Sequence, residues 1–465
     1  MQPCFSLRSI GIVLAMLFLL TGCMPWERAV PTAGSEGVGD SYFPQLGNGG
    51  YDTLHYTIDL AVDTQTNTIS GTTTIRAQAT QSLSAFNLDF LGLDIAEVQV
   101  NDQMVIFQRA GSELTVTPAV ALTNHDEFTV AIRYSGVPQP VKDAAIPFPH
   151  GWVKIEKSIV VVSEPSGAMN WYPVNNHPSD KATYTFRITV AKPYVVAANG
   201  LLQEEINNGN TTTYIWEAGD PMASYLATVS IGEYVVETEA SLNGVPIRNY
   251  FPPNLDRKIS ASFDRTGEMI DYFSSILGPY PFEVYGVVVI DGVLDGYLEA
   301  QTLSLFDRDP IGDWTIPHEL THQWFGNSIS LHRWQDIWLK EGFATYSQAL
   351  WTEHTSGIRA RDEELRAMYG EIESRQRPLA DPSPQEMYDL STYVRGALTL
   401  HALRVQVGDE HFFSILRTYY ERFRNSTAST EDFIAVAEDV SGQKLDDLFD
   451  AWLYATAIPP FPVGQ

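Results

Sequence analysis

The sequence predicts a multidomain chain, with an all-β, sandwich-like N-terminal domain followed by an α+β domain that is mainly helical. Three observations carry this prediction. From Tyr51 to about residue 237 apolar and polar side chains alternate, as in Phe128, Val130, Ile132 and Tyr134 against Thr129, Ala131 and Arg133. Tyr184, Phe186, Ile188 and Val190 do the same against Thr185, Arg187 and Thr189, which is the period of a half-buried strand. Beyond residue 238 helical spacing takes over, and it contains the stretch from His318 to Tyr346 around which the chain is organised.

Taken in order, the chain begins with a weakly basic start at Arg8 and an apolar run from Ile10 to Leu20 that is too short for a stable membrane span. Leu20-Thr21-Gly22-Cys23 follows and resembles a bacterial lipobox, in which the cysteine is lipidated and becomes the mature N-terminus. Residues 1–23 are therefore expected to be a lipoprotein signal peptide. Cys23 would anchor the chain by lipid to a bacterial cell membrane, with the rest of the chain extracytoplasmic; an ordinary cleaved signal peptide is the simpler alternative. Cys4 and Cys23 are the only cysteines, so no disulfide framework is available. A net charge of -28 argues against nucleic acid as a partner.

Residues 24–42, rich in Gly, Pro, Ser and Ala, read as a flexible tether. Residues 43–237 form the expected β domain, in which Thr, Val and Ile abound and turn signals such as Asn208-Gly209-Asn210 recur. In 238–465, helices are expected over Leu255–Leu277 (with Asn254 as N-cap), Asp362–Arg375, Val394–Val407 and Glu410–Phe423. Tyr285–Ile290 is apolar throughout and reads as a buried strand.

His318-Glu319-Leu320-Thr321-His322 places two histidines four residues apart, on one face of a helix, where both can hold one ion. Gly326-Asn327 can end that helix, and Asp336 to Tyr346 reads as a second one carrying Glu341 as third ligand. Imidazole nitrogen and carboxylate oxygen suit zinc, and a catalytic zinc site uses three protein ligands with a position left for water. Glu319 sits one step round the helix, where a general base belongs. The competing reading is an amphipathic helix with two polar residues on its solvated face. Trp324, Phe325, Trp338, Leu339 and Phe343 oppose it, because they place the polar residues in a partly buried setting where unpartnered His and Glu are costly.

His318 to Asn327 and Trp334-x-Asp336-Ile337-Trp338-Leu339-x-Glu341-Gly342-Phe343-Ala344 resemble the catalytic helices of the aminopeptidase N family of zinc metallopeptidases. These are gluzincins with a thermolysin-like catalytic domain, and the resemblance implies one Zn2+ per chain. It extends over nearly all of Phe43 to Pro462, through Trp171-Tyr172-Pro173, His177-Pro178-Ser179-Asp180-Lys181-Ala182, Gly278-Pro279-Tyr280-Pro281-Phe282 and Thr430-Glu431-Asp432-Phe433. The further domains that many relatives carry after this point are expected to be missing.

Gly296-Tyr297-Leu298-Glu299-Ala300 stands where the family has Gly-x-Met-Glu-Asn. The resemblance makes Glu299, with Gly296 in the same substrate-binding segment, the holder of the substrate's free α-ammonium through a charge-assisted hydrogen bond. Ala300 in place of Asn is expected to loosen that geometry. Glu164 matches a second acid that shares the task, although Val162 stands where many relatives have Gln. Tyr393, in Tyr393-Val394-Arg395-Gly396-Ala397, resembles the family's Tyr-x-Lys-Gly-Ala segment, where the phenol stabilises an oxyanion. Arg395 for Lys conserves charge, and its effect is expected to be mild. His177, His332 and His354 lack ligand spacing and read as structural or surface residues; Asp336 and Asn327 read equally as ligand-orienting groups and as helix caps.

Together these implications predict a zinc-dependent metalloaminopeptidase acting on peptides with a free N-terminus. A thermolysin-type zinc endopeptidase shares the ligands but lacks an amine clamp, so Glu299 argues against it. An epoxide hydrolase or bifunctional relative rests on fold-level analogy alone. A non-catalytic peptide-binding lipoprotein predicts loss of Glu319 or of a ligand, and all four residues are present. Nothing in the pattern specifies an oligomer.

Overall fold

Alternation is written directly into burial. Along Lys181–Ala191 every second residue (Ala182, Tyr184, Phe186, Ile188, Val190) is buried while its neighbours are half-exposed or exposed, as the period-two pattern predicts. These observations come from a computed structural model, which describes Met1 and residues 30–463 apart from 293–295, 309–311, 313 and 381. The expected signal peptide and lipidated Cys23 lie outside the described residues. Among the described residues, no helix is long and apolar enough to cross a membrane.

The β part is built on an eight-stranded sheet in the order Leu201–Asn207, Thr211–Ala223, Lys181–Ala191, Tyr51–Asp63, Thr68–Ala79, Glu127–Gly136, Asp94–Val100, Gln103–Met104. Lys181–Ala191 runs parallel to Tyr51–Asp63, and the other pairs are antiparallel. A four-stranded sheet faces it in the order Gly151–Ile155, Ser158–Val162, Val229–Gly232, Val195–Ala198. The two meet through aromatic rings: Trp171 stacks on Phe186 at 6.4 Å and lies 6.0 Å from Trp152. This is sandwich packing of inner faces.

Residues 31–42 do not behave as the flexible tether that their composition suggested. Thr32–Ala33 pairs in parallel with Leu83–Asp89, and the Asp40 carboxylate is buried, accepting the Tyr42, Phe43 and Trp334 backbone N–H groups. The glycines serve close packing, since a Cβ at Gly34 would run into the Gly49 carbonyl and one at Gly37 into the Pro44 carbonyl. His177 shares Asp40 at 3.2 Å and is structural, as expected.

The second part carries a sheet ordered Val235–Ala240, Pro246–Phe251, Tyr285–Val289, Ser304–Phe306. The expected boundary at 237 therefore cuts a strand that pairs with Pro246–Phe251. Alternation marks a strand but not the sheet it joins. Its principal helices are α1 (Thr266–Leu277), α2 (Thr315–Thr321), α3 (Trp338–Ser356), α4 (Ile358–Ile372), α5 (Leu390–Val407), α6 (Asp409–Phe423) and α7 (Thr430–Ser441). The helix expected over Leu255–Leu277 is broken: a short turn at Arg257–Ser260, N-capped by Asp256 rather than Asn254, and a 3-10 stretch at Ala261–Arg265 precede α1.

Helices α3 and α5 cross at two glycines. A Cβ built on Gly342 or on Gly396 would stand 2.7 Å from the other's Cα, so the backbones approach as only glycine permits. That crossing places Glu341, one residue before Gly342, close to Tyr393, one turn before Gly396. Arg395, between them and fully buried, fans its guanidinium over the carbonyls of Trp452 (2.7 Å), Ala455 (2.6 Å), Ala451 (3.1 Å) and Arg377. Three of these carbonyls, those of Ala451, Trp452 and Ala455, belong to a π-helical turn at Asp450–Tyr454 and its C-cap, and Arg377 supplies the fourth from a separate segment. The expectation of a mild effect rested on conserved charge, whereas what the side chain uses here is its planar fork with five donors. Arg395→Lys is expected to leave buried carbonyls unsatisfied and to destabilise the chain by about 2–4 kcal/mol, read as a lower midpoint in denaturant melts.

Candidate active site

Helix α2 carries His318 in its last turn, and His322 follows it in helical conformation, so the two rings meet edge to face at 4.8 Å. Glu341 on α3 reaches between them, its Oε2 3.4 Å from His318 Nε2 and 3.6 Å from His322 Nε2. Tetrahedral zinc with bonds of about 2.0–2.1 Å spaces its ligand atoms about 3.3–3.4 Å apart, so the cradle fits that ion. Glu341 Oε2 is buried without a hydrogen-bond partner, as an atom waiting for a cation would be. Both rings are oriented from behind: Phe325 O lies 3.2 Å from His322 Nδ1, and the Gln348 side-chain amide 2.8 Å from His318 Nδ1.

The local field favours positive charge here. Burial works against a charged His322, but Glu299 and Glu341 push it up to about 9. Burial lowers His318. Glu319 is 6% exposed, lies beside His322 and Glu299, and is pushed up to about 8 by burial. Among the described residues, no protein hydrogen bond engages its carboxylate, which faces a cavity of about 1140 Å3. Glu164, Gly296, Glu299, His318, Glu319, His322, Glu341 and Tyr393 all line that cavity, so every sequence-identified site residue within the described residues converges there.

Glu299 is held through its backbone. Asn327 Nδ2 donates to Glu299 O at 2.6 Å and Gln323 Nε2 at 3.2 Å, while Gln323 Oε1 accepts from the Thr302 N–H. The polar residues that follow His322 thus fix the Glu299 loop to the metal helix, and Ala300 does not leave it loose. Asn327 is an orienting group. Asp336 ties down the start of α7, its Oδ1 accepting the Thr430 N–H and hydroxyl, while Ser429 is the N-cap of that helix. Gly296 is uncrowded, with open space where a Cβ would stand. Tyr393 stacks on His318 at 6.0 Å, and burial raises its phenol well above the ordinary range, so it stays a proton donor. His354 stacks on Tyr272 at 4.1 Å and is half-open to solvent, away from the cavity.

Two residues escaped the sequence reading, Tyr388 in the cavity wall and Lys340 behind the cavity's carboxylates. Tyr388 donates its hydroxyl to Glu164 Oε1 at 2.9 Å. Lys340, 1% exposed, contacts Glu164, Glu299 (2.5 Å) and Glu341 Oε1 (3.1 Å), with its Nζ 5.4 Å from the Tyr225 ring centre. Burial opposes its charge, but the Glu164, Glu299 and Glu341 carboxylates outweigh burial and keep it an ammonium. Burial and the Glu299 charge push Glu164 up to about 7; Glu299 is held below its ordinary value because Lys340 and His322 outweigh its burial. A lysine beside a metal-ligand glutamate carries no spacing signal; the only cue was its place among Trp338, Leu339 and Phe343.

A helix with paired histidines flanking a glutamate, completed by a glutamate from the next helix and set beside a β-sandwich, defines a metallopeptidase of the two-domain gluzincin type. Comparison with known proteins narrows this. Residues 261–452 match the Peptidase family M1 domain and residues 52–226 the Peptidase M1 N-terminal domain. An M1 zinc metallopeptidase from Deinococcus radiodurans, solved with a Tyr-Ser-Ala substrate, is 31% identical with a TM-score of 0.87, covering 92% of this chain and 100% of that one. The chain belongs to peptidase family M1. Aminopeptidase M1-A of Oryza sativa subsp. japonica is 26% identical over 421 residues, which is 80% of this chain and 47% of that protein. Human glutamyl aminopeptidase is 26% identical over 336 residues, 66% of this chain and 35% of that protein. The chain spans about half the length of the first of these relatives and about a third of the second. A yeast LTA4 hydrolase structure, at 21% identity and a TM-score of 0.75 over 89% of this chain and 69% of that one, shares the fold.

Proposed function

We propose that this chain is a zinc-dependent aminopeptidase that removes single residues from peptides with a free N-terminus. The observation that carries the reading is the pair of buried acids, Glu164 and Glu299, set beside the His318–His322–Glu341 cradle in one cavity. His318, His322 and Glu341 would hold one zinc ion per chain, which supplies a Lewis acid that lowers the pKa of water to about 7 and polarises the scissile carbonyl. Glu164 and Glu299 receive the α-ammonium and fix the first peptide bond over the cradle. Glu319 takes the proton of the attacking water and delivers it to the leaving nitrogen. Tyr393 donates its hydroxyl to the oxyanion that develops on the attacked carbonyl.

The anchoring part of the reading is that Cys23 is lipidated and holds the chain at a bacterial cell membrane, outside the cytoplasm. It is supported by the Ile10–Leu20 run and the Leu20-Thr21-Gly22-Cys23 sequence.

Glu299→Gln tests the clamp. It keeps the shape and the backbone hydrogen bonds but removes the charge. In the zinc-loaded chain it is expected to raise KM for aminoacyl-fluorophore substrates about 10–100-fold, the worth of a hydrogen bond to a charged group. N-acetylated versions should be resistant in both proteins. An unchanged KM would remove Glu299 from the clamp, and rapid cleavage of acetylated substrates would make the enzyme an endopeptidase.

A further inference from the structure

The amine clamp already contains a cation. Lys340 is on α3 next to the metal-facing Glu341, yet its ammonium points into the group formed by Glu164 from the β domain, Glu299 from the loop before α2, and Glu341. An ammonium has three N–H donors, and three carboxylates stand around this one, with the Tyr225 ring face as a fourth neighbour. One oxygen of each carboxylate is engaged: Oε1 of Glu164, Oε1 of Glu299 and Oε1 of Glu341. Glu341 Oε2, facing the two histidines, is left bare, and the second oxygens of Glu164 and Glu299 remain for a ligand in the cavity both residues line.

We propose that Lys340 is a positioning residue for the substrate's N-terminus: it is the fixed counter-ion that holds Glu164 and Glu299 together, ties them to Glu341, and so sets the distance between the bound amine and the scissile bond. The inference rests on the aminopeptidase reading of Glu164 and Glu299. Oxygens of Glu164, Glu299 and Glu341 lie within 4.8 Å of one another, so without a resident cation the three like charges would spread apart. With Lys340 in place, three carboxylates share one resident cation, so negative charge is left over to receive an α-ammonium. The bridge to Glu341 also leaves Oε2 of that carboxylate facing the two histidines while Oε1 stays with the clamp. Selection of a free N-terminus and placement of the first peptide bond thus pass through one side chain.

The test uses the zinc-loaded chain with Lys340→Met and Lys340→Ala. Calorimetry with leucinamide and N-acetyl-leucinamide reads the clamp without turnover. Lys340→Met is expected to keep zinc at wild-type stoichiometry, to bind leucinamide about 10–100-fold more weakly, and to bind the acetylated amide as the wild type does. Steady-state kinetics should show the loss mainly in KM. Ethylammonium at millimolar concentration should restore part of the affinity and activity of Lys340→Ala by refilling the vacated charge, whereas ethanol should not, and ethylammonium should inhibit the wild type. Wild-type leucinamide affinity in Lys340→Met would overturn the proposal. So would zinc loss in both variants with no recovery by ethylammonium, which would make Lys340 a support for Glu341 alone. Failure of the underlying reading shows elsewhere, in a wild type that binds both amides equally.

Discussion

Glu319→Gln in the zinc-loaded chain is expected to lower kcat by about 10³–10⁴-fold while KM and zinc content stay at wild-type values. The amide matches the carboxylate in volume and cannot take or return a proton. The change should leave the fold intact, because none of the hydrogen bonds among the described residues uses the Glu319 carboxylate. Its separation from the ligand set is geometric: His318 and His322 turn their Nε2 atoms to Glu341, whereas Glu319 lies against His322 and Glu299 on the cavity side. Steady-state kinetics together with metal analysis of the same sample check both halves. A fall of only a few-fold would move the proton transfer to another group, and a loss of zinc would move Glu319 into the ligand set.

Glu341→Gln is expected to abolish activity by the other route, through the metal. An amide is a poor zinc ligand, and two histidines alone do not make a closed three-ligand site. Loss of a hydrogen-bonding partner behind a ligand costs 10–100-fold in affinity as a rule, and loss of the ligand should cost more than about 100-fold. After dialysis against a chelator that leaves the wild type loaded, the variant should hold no zinc. Lys340 would also lose a charged partner, so a lower melting temperature is expected alongside. Wild-type zinc retention in Glu341→Gln would show that a different carboxylate completes the site; Glu299, grouped with Glu319 and His322, would be the next to test.

Spacing made part of this site legible in the sequence. His318 and His322 four residues apart, with Glu319 between them and Glu341 on the next helix, carry a geometric demand that any fold must satisfy. Glu299, Glu164 and Tyr393 were found by resemblance, and the structure brings all three to the same cavity. Lys340 was passed over because a lysine's meaning depends on what surrounds it, and its partners come from positions 164, 299 and 341. The role of Arg395 was missed for the same reason: charge is readable from the sequence, while a fan of carbonyls from 377 and 451–457 is not. Glycine was ambiguous in both directions. In residues 31–42 it signalled flexibility but serves close packing, whereas in Gly342 and Gly396 it marks the helix crossing that places Glu341 by Tyr393. Strand alternation gave the β-sandwich, yet it could not assign Val235–Ala240 to its sheet, because all six residues of that edge strand are exposed and carry no burial signal of a partner.

The central claim is that a clamp for a free N-terminus lies beside a zinc cradle, and it is tested most directly by the products made from one hexapeptide. The zinc-loaded chain would be incubated with the peptide bearing a free N-terminus and with its N-acetylated form, and the products followed by mass spectrometry over time. The account predicts a ladder in which the free peptide loses one N-terminal residue at a time while the acetylated peptide persists intact. Internal fragments from either peptide, or equal consumption of the two, would contradict it.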